Sequence, residues 1–136
     1  MKIWTVDAFT DTPFAGNPAA VTIVEEFPTD TRCLQIAAEM NLSETAFLKP
    51  LGEDHFHIRW FTPKVEVKLC GHATLASSHV LFDENLTTSD TITFSSLSGP
   101  LHVKKDGQDI ILDFPLQKTG ESLPSTHFEK LFPLNI

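Results

Sequence analysis

The chain has 136 residues, enough for one domain with a buried core and too few for a second full domain. Hydrophobic residues make up 41% and charged residues 21%, which excludes a disordered chain, and the net charge of -8 with no basic stripe argues against a nucleic-acid partner. The opening MKIWTVDAFTDTPF alternates polar and apolar residues, so it reads as neither signal peptide nor membrane span, and the cytoplasm is the expected compartment.

In chain order, residues 3–9 alternate like a strand, and the 11–17 stretch with Pro13, Gly16 and then Pro18 marks a turn before the apolar run 19–24. Pro28, Thr29 and Asp30 set up a helix start, with Leu34, Ala37, Ala38 and Met40 at helical spacing up to Asn41. A short strand is expected over 46–48. After a turn at Gly52, Phe56, Ile58 and Trp60 alternate with His57, Arg59 and Phe61 as a half-buried strand that ends at Pro63. A further short strand over 65–69 runs into Cys70 and Gly71, and residues 72–82 form a helix with almost no charge, which belongs in a core.

Strands follow at 91–97, 101–105 and 109–114, the last two joined as a hairpin through Asp106 and Gly107. From 117 to 126 the composition turns to Thr, Gly, Ser and Pro, and a new apolar stretch opens at Phe128. The expected fold is therefore α+β, a mixed and largely antiparallel sheet wrapped around a central buried helix. Residues 1–116 form the domain, and 117–136 form a linker and the start of a second domain that is missing.

Two cysteines are too few for a disulfide framework, so Cys33 and Cys70 are expected as free thiols. Three segments carry candidate chemistry. In FAGNPAAV, residues 14–21, the glycine permits close backbone approach and Asn17 offers an amide, although the same residues suit a plain turn. In NLSETAFL, residues 41–48, Glu44 lies between a helix end and a strand with apolar neighbours. Desolvation there would raise its pKa toward neutrality, as general acid/base work requires, whereas the alternative is a solvated loop glutamate or cap. In LCGHATLA, residues 69–76, the N–H groups of a helix start attract an anion, and their field could lower the Cys70 pKa. The alternative there is a small buried hydrophobe at Cys70 and a helix-capping role for His72.

FAGNPAAV, NLSETAFL and RWFTPKVEVKLCGHATLA, in this order, resemble the amino-terminal half of the phenazine-biosynthesis PhzF-like family, related in fold to diaminopimelate epimerase. The resemblance covers roughly residues 1–115. It implies a cofactor-independent isomerase about twice this length, built from two similar halves with the active site between them. By the same resemblance Glu44 is the catalytic acid/base, His72 lines the site, and Cys70 stands where the epimerases carry one of two catalytic cysteines. Asn17, Ser43 and the helix start at Gly71, Ala73 and Thr74 would hold a small carboxylate substrate. The partner would be a second PhzF-like half or another copy of the chain. The second half of the family's site has no counterpart after Gln117, so a non-catalytic binding or assembly half-protein is the alternative function.

Two other chemistries compete with this reading. His55, His57, Cys70, His72 and His79 could be drawn into a zinc site, but only the first two share a short fixed spacing, and no metal is expected. A Cys-His hydrolase would need His72 to fold back onto Cys70, two residues away, where such pairs are normally distant in sequence.

Overall fold

Along the central strands the side chains alternate between two cores. A computed structural model describes residues 1–115, with elements β1 (Ile3–Ala8), β2 (Asn17–Ile23), α1 (Asp30–Met40), β3 (Thr45–Gly52), β4 (His55–Phe61), β5 (Glu66–Val67), α2 (Gly71–Asp83), β6 (Thr91–Ser96), β7 (Gly99–Asp106) and β8 (Asp109–Asp113). Ala46, Leu48, Ile58 and Trp60 face the main core with α2, while Phe47 and Phe61 face a smaller one with Cys33 and Ala37 of α1. A period of two on a sheet covered on both faces dictates this split.

The sheet order is β1-β2-β3-β4-β6-β7-β8, with β5 paired to β4. Pairs β2/β3 and β4/β6 are parallel and the others antiparallel, so the expected mixed, largely antiparallel sheet is present. Helix α2 packs against β1, β2 and β3 and also against β8 at the opposite edge. A sheet whose two edges touch one helix must curl around it. Ala73, Ala76 and Val80 are buried, as expected of a central helix.

The interior of α2 is small and partly polar, yet it leaves its hydroxyls satisfied. Thr74, Ser77 and Ser78 donate to the carbonyls of Cys70, Ala73 and Thr74 at 2.6, 2.7 and 2.8 Å. Each bond lies within the helix, so burial leaves these groups paired.

Two strands differ from expectation. β3 continues four residues past Leu48 because β2 stops pairing at Leu48, so Pro50 faces a side with no ladder to interrupt, and a bulge follows between Pro50 and Gly52. The strand expected over 65–69 pairs only at Glu66 and Val67. Val65 is consumed by a turn in which its carbonyl accepts the Thr62 N–H, and the Lys68 carbonyl accepts from the Ser98 hydroxyl instead of the sheet. The hairpin between β7 and β8 forms with Gly107 at φ 62°, a conformation that glycine adopts without strain. The linker and second-domain start expected for 117–136 lie outside the described residues. Among the described residues no helix is long and apolar enough to cross a membrane.

Candidate active site

Glu44 is placed by the elements on either side of it. Helix α1 stops at Asn41, which adopts a left-handed conformation (φ 53°, ψ 39°) while its N–H reaches the Ala37 carbonyl at 3.1 Å. Three residues later the Glu44 carbonyl accepts the Ala20 N–H at 3.2 Å, tying the residue to β2 just as β3 begins. The side chain retains only 18% of its accessible surface, so the solvated-loop alternative does not hold.

Facing it is the start of α2. Cys70 is the N-cap, with extended backbone, and His72 is the second helical residue. The His72 Nε2 lies 3.1 Å from Glu44 Oε2, and its Nδ1 lies 3.3 Å from Cys70 Sγ. The imidazole therefore stands between a carboxyl group and a thiol. Glu44 Oε2 and His72 Nε2 are both buried, and neither has a well-aligned hydrogen bond despite their proximity.

His72 does fold back onto Cys70, two residues away, and the reason is local. An N-cap side chain lies over the N–H groups of the second and third helical residues. A sulfur in that position meets the side chain that begins at the second, so spacing by cap position would have revealed the pair.

Of the two readings of Cys70, its setting favours the small buried side chain over the activated thiol. Burial pushes the thiol up to about 11, the N–H groups of Ala73 and His72 oppose this, and the nearby Glu44 carboxyl pushes it up further. Desolvation outweighs the helix field. His72 makes no cap, since the N-cap is Cys70 and α2 has no side-chain capping bond.

The expected substrate-binding residues divide. Asn17 and Ser43 are exposed, and because β2 and β3 run parallel their leading ends lie at the end of the sheet that holds Glu44. The Ala73 side chain is buried, and both the N–H and the hydroxyl of Thr74 bond to the Cys70 carbonyl, at 3.2 and 2.6 Å. Gly71 has room for a side chain, with only Phe114 in ordinary contact. Gly16 has the opposite character. A Cβ there would collide with the Ala8 carbonyl and lie 2.6 Å from Thr10 Cγ2, so this glycine admits the protein's own β1 backbone and not a ligand.

The histidines weighed for zinc disperse. His55 bonds Ser95 Oγ at 2.8 Å, the His57 ring stands edge-on to Phe27, and His79 is exposed on α2. Cys70 and His72 are instead joined by Glu44, with one donor atom from each residue within 4.8 Å of the others. A cleft of about 330 Å³ between β1, α2 and β8 is lined by Asp7, Leu75, His79 and Asp109 among others and by none of these three. The reactive groups and that concavity do not coincide, and the chemistry of the donor set makes the three-residue cluster the better candidate site.

Comparison with known proteins agrees with the fold and the motifs. The family model described as phenazine biosynthesis-like protein, PhzC-PhzF, matches residues 6–126. The chain is 50% identical over 117 residues to an uncharacterized isomerase of Halalkalibacterium halodurans, covering 85% of this chain and 44% of that protein. It is 46% identical over 126 residues to phenazine biosynthesis-like domain-containing protein 2 of Mus musculus, covering 88% and 44%. The crystal structure of a phenazine biosynthesis protein of the PhzF family from Enterococcus faecalis superposes with a TM-score of 0.83 at 42% identity, covering 94% of this chain and 49% of that one. The chain thus spans about half the length of the curated relatives it matches. A match over most of the chain, together with the Glu44 and Cys70–His72 segments folded onto one another, shows that the chain belongs to the phenazine biosynthesis-like, PhzF-like family.

Proposed function

We propose that this chain supplies one half of the active site of a cofactor-independent isomerase, in which Glu44 moves a proton on a small carboxylic acid. The supporting observation is the largely buried Glu44 carboxyl held 3.1 Å from His72 Nε2. In its carboxylate form Glu44 removes a proton from an activated carbon and returns it to another carbon or to the opposite face, shifting a double bond or inverting a centre. His72 fixes the carboxyl group and polarises it. Asn17, Ser43 and the Gly71 end of α2 orient the substrate carboxylate by hydrogen bonds to its oxygens.

The site is completed by a second surface, either another PhzF-like half or a second copy of this chain. Exposed Phe9, Phe14, Val65 and Leu97 support that reading. They sit in connections at the same end of the sheet as Glu44, as the pairings Ala8↔Asn17, Thr45↔Phe61 and Ser96↔Gly99 require.

A cysteine-based epimerase is the second reading, favoured by the 3.3 Å contact between Cys70 and His72. The raised thiol pKa weighs against it, because the thiolate is the reactive form. Solvent deuterium incorporation into substrate, with both halves of the site present, separates the two. Glu44→Gln should slow exchange by about two to four powers of ten, while Cys70→Ser keeps most of it. Wild-type exchange in Glu44→Gln on a verified substrate overturns the glutamate mechanism.

A further inference from the structure

We infer that Glu44, His72 and Cys70 form a three-donor site for a borderline-soft divalent cation of the zinc type, and that such a cation shuts off the proton transfer assigned to Glu44. The first ground is geometry. Oxygen, nitrogen and sulfur donors at ordinary zinc distances are separated by about 3.4–3.6 Å along the edges of a tetrahedron. Glu44 Oε2 and His72 Nε2 are 3.1 Å apart, and one donor atom from each of Glu44, His72 and Cys70 lies within 4.8 Å of the other two. The imidazole offers a single ion one of its two nitrogens, and the carboxylate oxygen and the thiol sulfur are the two further donors, so one atom from each of the three residues can face one ion.

The second ground is satisfaction. Glu44 Oε2 and His72 Nε2 are buried without a well-aligned hydrogen-bond partner, and buried polar atoms in that condition call for a ligand. A cation between them would satisfy both. The donor set, one carboxylate, one imidazole and one thiolate, suits zinc and cobalt(II) better than magnesium or calcium, which take oxygen donors. Three protein donors leave a fourth position open to water or to a substrate carboxylate.

Binding requires the Cys70 thiol to lose its proton to solvent, so each ion bound releases a proton and affinity rises with pH. The inhibitory consequence rests on Glu44 being the acid/base. A carboxylate that donates to the metal is a much weaker base and is held in place by it, so it no longer removes a proton from carbon. The binding itself does not depend on that assignment.

Cobalt(II) and zinc chlorides, titrated into the 136-residue chain, test the site directly. Cobalt should produce a near-ultraviolet sulfur-to-cobalt charge-transfer band that saturates at one ion per chain and is displaced by zinc. Calorimetry with zinc should show the same stoichiometry. Cys70→Ser and His72→Gln should each weaken zinc binding by at least ~10–100-fold, the cost of losing even a supporting partner of a ligand. His55→Ala and His79→Ala should leave it unchanged, and His72→Gln provides an independent readout if the thiol variant does not fold. Absence of the charge-transfer band, or zinc affinity equal to wild type in both ligand variants, overturns the site. With both halves present, zinc should also suppress deuterium exchange, and a chelator should restore it. Zinc that binds at these residues but leaves exchange intact overturns the inhibition and counts against Glu44 as the base. A chain that binds no zinc refutes this inference and leaves the isomerase reading standing.

Discussion

Raising the pH from about 8 to above 11 should destabilise the folded chain through Cys70, with a sign and size that follow from its setting. The thiol is buried and beside the Glu44 carboxyl, and its pKa rises from 9.0 to about 11. Below pH 9 it is protonated in both folded and unfolded chains. Between 9 and 11 the unfolded chain releases the proton while the folded chain keeps it, so the folded state binds more protons and stability falls as pH rises. At ~1.4 kcal/mol per tenfold change in the equilibrium, the loss across that window is at most about 3 kcal/mol, and smaller to the extent that solvent screens the thiolate.

Urea unfolding of the wild type and of Cys70→Ala across this range isolates the effect. Lysines titrate in both proteins, and so does Cys33, whose pKa is raised by burial, so these contributions cancel in the difference. The chain has no tyrosine, so no phenol confuses the window. Wild type should lose its advantage over Cys70→Ala as pH climbs. In a Glu44→Gln background the thiol should titrate lower, since one source of its elevation is gone. A stability difference between wild type and Cys70→Ala that stays constant across the window would refute the claim that burial holds this thiol protonated.

Gly16→Ala should cost about 1–3 kcal/mol in urea or thermal unfolding, because the new methyl meets the Ala8 carbonyl and the Thr10 side chain, whereas Gly52→Ala, with open space around it, should be close to neutral. Phe94→Ala, deep in the α2 core, should cost about 3–5 kcal/mol by leaving a cavity; a smaller loss would mean that the sheet relaxes onto the helix. In size-exclusion chromatography with light scattering the isolated chain should self-associate or bind a second half through Phe9, Phe14, Val65 and Leu97, and a strict monomer at high concentration would count against an incomplete site.

Much of the fold was legible because its signals are local. Period-two alternation marked β4, and the near absence of charge from 72 to 82 marked the buried helix. The glycine at 107 marked the last hairpin. Errors arose where a neighbour decides the outcome. The strand expected over 46–48 runs on through Pro50 to Gly52, because β2 no longer pairs there and the missing proline N–H interrupts no ladder. The stretch 65–69 looked like a strand, but side-chain bonds from Thr62 and Ser98 redirect its backbone. In the site, Glu44 and His72 were identified through motif resemblance, and nothing in their spacing of 28 positions predicts a 3.1 Å contact. The sequence left Cys70 between an activated thiol and a small buried hydrophobe, because the helix start is visible in the sequence while the depth of burial around it is not.

The small side chains of α2 also bear on how that contact is kept. Ala73, Ala76, Ser77 and Ser78 lie fully or almost fully buried, so the curled sheet packs on the helix with little side-chain bulk between them. A helix seated this way has few alternative settings. Slipping it by one residue would turn each side chain by about 100° around the axis and move it 1.5 Å along it, driving larger residues such as Leu75 into spaces shaped for alanine and serine. The same slip would swing His72 away from Glu44. The tolerance of the candidate site is thus set in the next two turns of the helix, by residues that have no chemistry of their own.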